Sequence, residues 1–417
     1  MSAPYPLQSS ELQSIKLYIL LRTQDHTEKY LLHLREMYSL LRKINFIALL
    51  VMTVFFSLLS LASAARAQSF IAEGSDTGAG VGARHNAMGG VGVASTEDAY
   101  AVFYNPAGMN VDSAAELAAD RQLNAELRLV SYLGATLSLP TEDLTGLKTA
   151  IGFAFYPRVH ARASGAFSEN DFESIFLRYL LPDLDGTFDG DLESKTKVYR
   201  LALSARPGDS DFWAIGFNFD YIDCKTNFCG TTATSNGFTI ASTEARATSF
   251  GLSLLLKPNP DLSIGASFTD LGSDLTSDVT TTDDLGTRTE HHELSFPIKG
   301  LVGVGYNLSD NLLVTGEYEI FKGDYGSDAL DLQMVRIGAE YNYSEFLALR
   351  LGAMIPIKFE SEQTEDLDFD IPFVPTAGFG FNWENWRADL ALYVNPVQSA
   401  HEHAPALYSN ISLSISF

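Results

Sequence analysis

The chain has 417 residues, with 52 Asp and Glu against 28 Lys and Arg, a formal net charge of −24. That surplus of acid argues against nucleic acid as a partner, since affinity for phosphate backbones comes from Lys and Arg. Only 19% of residues are charged while 46% are hydrophobic, and 27 Phe with 18 Tyr exclude a disordered polar chain.

The first feature along the chain is a leader. No charge occurs in the 22 residues from Ile44 to Ala65, which follow Arg42-Lys43 and close on Ala65-Arg66-Ala67. A basic stretch, an apolar core and a small-x-small site form the layout of a secretory signal, with cleavage expected before Gln68. A membrane anchor is the rival, because a run of that length reaches across a bilayer core of about 30 Å. The Ala/Ser-rich end favours the signal. Residues 1–36 carry no pattern, which suggests a start at Met37, and residues 1–67 are expected to be leader.

Next comes a segment rich in small residues. Residues 78–110 hold seven Gly and no Lys, a composition that cannot make a membrane strand. It contains no phosphate-loop pattern. Small residues let a chain fold tightly inside a narrow lumen, so residues 68–112 are expected to be a plug within a barrel formed by residues 113–417.

From there on the sequence alternates with period two. Trp213, Ile215, Phe217, Phe219 and Tyr221 fall on one face and Ala214, Gly216, Asn218 and Asp220 on the other; Ser409 to Phe417 and Leu312 to Phe321 behave alike. This is the pattern of strands with one apolar and one polar face. Short connections at 208–210, 258–261, 309–311, 344–346 and 384–386 alternate with longer ones at 158–196, 224–242, 272–289, 322–332, 359–371 and 398–406. Such asymmetry belongs to membrane barrels, with short turns at one end and long loops at the other. Strands end near 139, 157, 207, 223, 257, 271, 308, 321, 342, 358, 382, 396 and 417, and a further one over Ala114 to Leu123 brings the total to fourteen. Thr289 to Leu308 is then one strand interrupted at Pro297. The fold class is all-β, a transmembrane antiparallel barrel of about 14 strands with an amino-terminal plug (hatch).

The outer loops carry much of the acid, six carboxylates in Phe359 to Asp370 and eight in Glu169 to Glu193. These form a solvated loop face or bridge divalent ions to lipopolysaccharide. In the first long loop Phe172, Ile175, Phe176, Tyr179 and Leu180 keep the spacing of one helical face, either a landing site for an apolar ligand or a packing surface. Cys224 and Cys229 are the only cysteines, and export makes a disulfide between them permissible. Among inward-facing charges Arg336, Arg350, Glu317 and Glu340 form an ion network or, through the two arginines, hold a carboxylate head group. No G-x-S-x-G accompanies the His291-His292 and His401-Glu402-His403 clusters, so no enzyme, metal site or cofactor is expected.

The string Ala87-Met88-Gly89-Gly90, then Asp98-Ala99, then Phe103-Tyr104-Asn105-Pro106-Ala107-Gly108 resembles the hatch signature of the FadL/TodX outer-membrane transport proteins, and also the PorV/PorQ proteins associated with type IX secretion. Weaker similarity runs through Ala214 to Tyr221, Ile337 to Tyr341 and Leu347 to Gly352, and the terminal Phe417 resembles the signal read by the barrel-assembly machinery. The first resemblance implies a bacterial outer-membrane channel for passive uptake of hydrophobic molecules, long-chain fatty acids or aromatic hydrocarbons, by loop capture, hatch movement and lateral release. It implies that Gly89, Gly90, Asn105, Pro106 and Ala107 belong to the hatch. It also implies a third strand over Lys148 to Pro157 that kinks inward, with Gly152 the candidate, unless that glycine only serves packing. The second implies a shuttle for exported proteins that transports no small molecule.

Overall fold

The computed structural model describes residues 69–76, 80–123, 130–167, 188–225, 232–235, 238–242, 245–283, 286–325, 328–361, 373–395, 399 and 406–417. They belong to one compact unit, residues 65–417. The expected leader and the expected apolar face at Phe172 to Leu180 lie outside the described residues. Among the described residues no helix is long and apolar enough to cross a membrane.

Strands dominate. They are β1 (Ser69–Glu73), β2 (Ala115–Gln122), β3 (Val130–Leu139), β4 (Leu147–Phe167), β5 (Phe188–Pro207), β6 (Trp213–Lys225), β7 (Thr232–Ser235), β8 (Phe238–Ser242), β9 (Ala245–Asn259), β10 (Leu262–Leu271), β11 (Asp274–Asp283), β12 (Gly286–Ser295), β13 (Ile298–Ser309), β14 (Leu312–Tyr325), β15 (Asp328–Asn342), β16 (Leu347–Ser361), β17 (Val374–Trp383), β18 (Trp386–Val394) and β19 (Leu407–Ser416). Fourteen of them close an antiparallel ring in the order β2-β3-β4-β5-β6-β9-β10-β13-β14-β15-β16-β17-β18-β19, with β19 returning to β2. Pairing of the last strand with the first leaves the sheet no free end, the condition for a sheet to stand in lipid. Each of the fourteen corresponds to a strand expected from the sequence.

The expected outer loops differ in detail. Thr289 to Leu308 is not one strand: β12 ends at Ser295, β13 starts at Ile298, and β12 pairs with β11 alone. Pro297 stands between them, where it withdraws a donor from no ladder. The stretch 322–332 is not an open loop either, because β14 and β15 stay in register out to Tyr325↔Asp328. The hairpins β7–β8 and β11–β12 pair with each other, so two of the long connections are themselves sheet.

Alternation sets the two faces. Along β9 the burial pattern is a strict in-out repeat. On the outside stand Ile215, Phe217, Phe250, Leu252, Leu201 and Leu203, an apolar belt with the composition of a lipid-facing surface. The inward positions face the segment of residues 80–111.

Polarity changes along the lumen. Toward the long-loop end Tyr156, Val198, Ile222, Ala247, Leu275 and Phe296 form one apolar group, and Met334, Met354, Val374, Tyr393 and Tyr408 form another. Toward the short-turn end the inward positions are Arg200, Asp220, Glu317, Glu319, Arg336, Glu340, Arg350 and Asp389, all buried. Toward the long-loop end the buried inward positions are thus mainly apolar, with the Arg158–Asp270 pair set among them, and toward the short-turn end charges are frequent among small residues.

Candidate functional site

The site is the contact between residues 80–111 and these inward-facing charges. The segment folds into a short helix, Ala83–Ala87, a second, Ala101–Tyr104, and a 3-10 turn, Pro106–Gly108. Their small side chains allow close approach, and the strands answer with glycine. A Cβ on Gly352 would lie 2.2 Å from the Met88 carbonyl carbon, one on Gly338 2.5 Å from its oxygen, one on Gly216 2.3 Å from the Ala107 nitrogen, and one on Gly265 2.0 Å from the Val93 oxygen. Gly89 and Gly90, expected in the hatch, have φ of 77° and 76°. In that left-handed region a side chain is strained, and at Gly89 a Cβ would also strike the Ala353 oxygen at 2.5 Å.

Asn105 caps the 3-10 turn that contains Pro106 and Ala107. The Asn105 side chain accepts from Ala107 N at 3.0 Å and donates to the carbonyls of Val93 at 2.6 Å and Leu254 at 3.1 Å. Ala107 N also donates to Ser253 Oγ at 3.2 Å. The turn is therefore bonded to β9 and packed against Gly216 of β6.

All four expected lumen charges are engaged. Glu340 accepts two bonds from Arg84, at 2.8 and 3.0 Å, and one from Arg350 Nε at 2.5 Å. Arg350 Nη1 stands 2.8 Å from Asp389. Arg336 pairs with Glu319 at 2.5 Å and donates to the Gly89 carbonyl at 3.2 Å. Glu317 accepts from the backbone of Gly92 at 3.0 Å and Val93 at 2.9 Å. Arg336 and Arg350 already hold carboxylates of the chain itself, so their geometry favours the ion network over a head-group site.

Asp220, Glu319, Arg387 and Asp389 also face inward in the alternation of the sequence, but Arg84, Asp98 and Arg200 were not placed in this network. Arg84 and Asp98 come from the segment, and Asp98 pairs with Arg387. Arg200 donates to both Asp220 oxygens at 2.7 Å and to the Phe103 carbonyl at 2.9 Å. Its position opposite Tyr199 and Leu201 in the alternation was the available signal. His85 is fully buried and bonds the Val91 carbonyl through Nδ1 at 2.9 Å. Burial first, then the Arg84 cation, push its imidazole down to about 4. Burial opposes the charge on Asp98, yet Arg387, His85 and Arg84 hold its carboxyl down to about 2.

Above this layer the segment presents aromatic rings. Tyr100 stacks on Tyr132 at 4.9 Å, and Phe103 meets Tyr156 edge-on at 5.0 Å. The Tyr132 hydroxyl donates to the Ala99 carbonyl at 2.7 Å.

Gly152 is not a kink. The β3–β4 and β4–β5 registers run through it unbroken, and its missing side chain makes room for Val102 and Met109. The irregularity of this third barrel strand lies at Pro157/Val159. There the β3–β4 register, which starts at Leu139↔Thr149, has already ended at Leu133↔Phe155. Beyond it β4 takes β1 as its neighbour, from Glu73↔His160 to Ser69↔Ser164. Ser75 N and Asp76 N donate to the carbonyls of Pro157 and Arg158, both at 3.0 Å. Arg158 bonds Asp76 and Asp270, both at 2.6 Å, beneath the Phe296 ring at 4.4 Å. Past the end of the β3–β4 register, β4 is thus paired by the amino-terminal strand, with no β1–β3 ladder among the described residues.

The fold recurs in solved structures. The Ralstonia pickettii toluene transporter TbuX superposes with a TM-score of 0.53 at 16% identity over 81% of this chain and 98% of that one. A Pseudomonas aeruginosa FadL homologue gives 0.53 at 11% identity over 83% and 98%. The chain has the FadL-type barrel fold. CymD, a monoaromatic hydrocarbon channel, shares it with a TM-score of 0.51, 14% identity and coverage of 83% and 99%. No family model matches the chain, and no curated protein does. Within this FadL-type fold Cys224 of β6 is buried and disulfide-bonded; Cys229, the other cysteine, lies outside the described residues. Phe417 closes the ring, donating through its nitrogen to Ala115 and accepting from Ala114.

Proposed function

We propose that this protein is a passive channel of the bacterial outer membrane that takes up hydrophobic small molecules, with residues 80–111 as its plug. The observation that carries this reading is the division of the lumen. An apolar molecule entering from the long-loop end meets Tyr156, Val198, Ile222 and Phe296 and is stabilised there by about 0.8 kcal/mol per buried CH₂. Below it lie a plug and a layer of buried ion pairs, which an apolar molecule cannot cross without unpairing charges. Sideways, at the level of Tyr156, stands the seam between β3 and β4, where β1 takes the place of a continuous ladder. Lateral release through that seam delivers the molecule into a medium it prefers. The relatives described as toluene and monoaromatic hydrocarbon channels favour small aromatic cargo; the apolar positions toward the long-loop end suit acyl chains equally in chemistry.

Uptake of radiolabelled toluene and oleate into cells with and without the protein tests this. The protein raises the rate, and deletion of residues 80–111 or Pro106→Ala changes it. Wild-type rates in both variants would sink the plug, and no protein-dependent uptake of either compound would sink the channel.

A further inference from the structure

The outward face of β5, β6 and β9 bears a row of three charges at one level. Lys197 of β5 is in register with Asp223 of β6, and Asp223 with Arg246 of β9. Their side chains have no hydrogen-bond or ion-pair partner among the described residues, although neighbours directly across a ladder stand about 5 Å apart at Cβ. Beside the row is a cavity of about 350 Å³ lined by Tyr199, Tyr221, Asp223 and Arg246.

The level of this row follows from the strand. From Trp213 at the short-turn end to Tyr221, outward side chains of β6 are apolar or aromatic, and Tyr221 is paired with Tyr199 across the ladder. Eight residues at about 3.3 Å each run about 26 Å along the strand. At a tilt of about 40° that is about 20 Å of height, so the next outward position stands at about 25 Å, the edge of an apolar belt of about 25 Å. The next outward residues are Asp223, Lys197 and Arg246. Tyr199 and Tyr221 then form the interface girdle, and the charges lie where lipid phosphates of the long-loop leaflet lie.

Two cations without a partner among the described residues are notable at this height in a chain of net charge −24. On the other side of the barrel the row Lys322, Asp331 and Lys358 is chemically alike, but its charges are already paired at 3.4 and 3.0 Å. One row is neutralised internally; the other has two cations to offer and rings below for an acyl chain to lie against.

We propose that Lys197 and Arg246 bind the phosphorylated headgroup of an outer-leaflet glycolipid, with its acyl chains on Tyr199 and Tyr221. This rests on the outer-membrane reading above, and it concerns the outer wall instead of the lumen.

Native mass spectrometry of the purified full chain, exchanged against vesicles containing diphosphorylated lipid A or its dephosphorylated form, tests it. The protein retains the phosphorylated lipid, and Lys197→Gln/Arg246→Gln lowers retention on the order of thirtyfold, as expected for two surface cations. Lys322→Gln/Lys358→Gln leaves it unchanged, and Lys197→Arg/Arg246→Lys restores it. Equal retention of both lipids, retention unaffected in the first double variant, or displacement by equimolar inorganic phosphate would overturn the assignment. Toluene uptake, measured on the same variants, reports the channel separately, so either idea can fail alone.

Discussion

Arg84 and Glu340 are joined by two parallel hydrogen bonds, Nε at 2.8 Å and Nη2 at 3.0 Å, with each side chain 11% exposed. A helix of the amino-terminal segment is thereby fastened to β15 through a bidentate charge pair, the strongest geometry available to these groups. Breaking a buried pair costs about 3–5 kcal/mol when the partner is left alone. Here Glu340 keeps Arg350, so Arg84→Met is expected to cost less than that range, about 2 kcal/mol, as for hydrogen bonds to a charged group. Heat-modifiability on gels reads the loss, and a cycle with Glu340→Gln gives the coupling. Additivity of the two changes would deny the pair any role.

Steric fit of the segment is testable separately. Gly352→Ala places a methyl 2.2 Å from Met88 backbone, and overpacking of this kind costs about 1–3 kcal/mol. The same change at Gly316, whose Cβ would find nothing nearer than 3.9 Å, should be neutral. Conductance in planar bilayers is expected to rise for Gly352→Ala and stay at the wild-type level for Gly316→Ala.

Acid should loosen the segment. His85 has its pKa lowered to about 4 from 6.5, and the groups facing it are Arg84, Asp98 and Arg387. A group with a depressed folded pKa binds fewer protons in the packed state. The stability it contributes is present above 6.5 and is lost as the pH falls toward 4. Asp98, lowered to about 2 from 3.8, adds a loss of the same sign in the window from 3.8 down to 2. The two windows scarcely overlap. Protease cleavage within residues 80–111 should be low at pH 7.5 and rise by pH 4.5, and His85→Gln should flatten that rise. A profile unchanged by the substitution would remove His85 from the explanation.

Much of the barrel was legible in the sequence because period two and loop length are local properties. Trp213 to Tyr221 declares its lipid face residue by residue, and the short turns declare one end. In the string Asn105-Pro106-Ala107 only the Asn105 side chain makes a residue-specific bond, to Leu254 O, while the bond to Ser253 comes from the Ala107 backbone. Gly152 was open to two readings because a glycine that bends a strand and one that admits Val102 look the same in one dimension. The pairing of Arg84 with Glu340, 256 positions apart, leaves no trace in local pattern. Nor does β1, a five-residue strand, which pairs with β4 beyond the end of the β3–β4 register at Leu133↔Phe155.

The most direct test of the account is to lock the seam. Phe70 and Ala163 face each other across β1 and β4, and a directly opposed antiparallel pair is within reach of a disulfide. Phe70→Cys/Ala163→Cys is made in a Cys224→Ser/Cys229→Ser background, and toluene uptake is measured oxidised and then reduced. Lateral release through the β3–β4 seam predicts that the oxidised protein still folds and is exported but takes up toluene at the rate of cells lacking it, with recovery on reduction. Uptake by the oxidised protein at the rate of its unlocked background would contradict release at this seam.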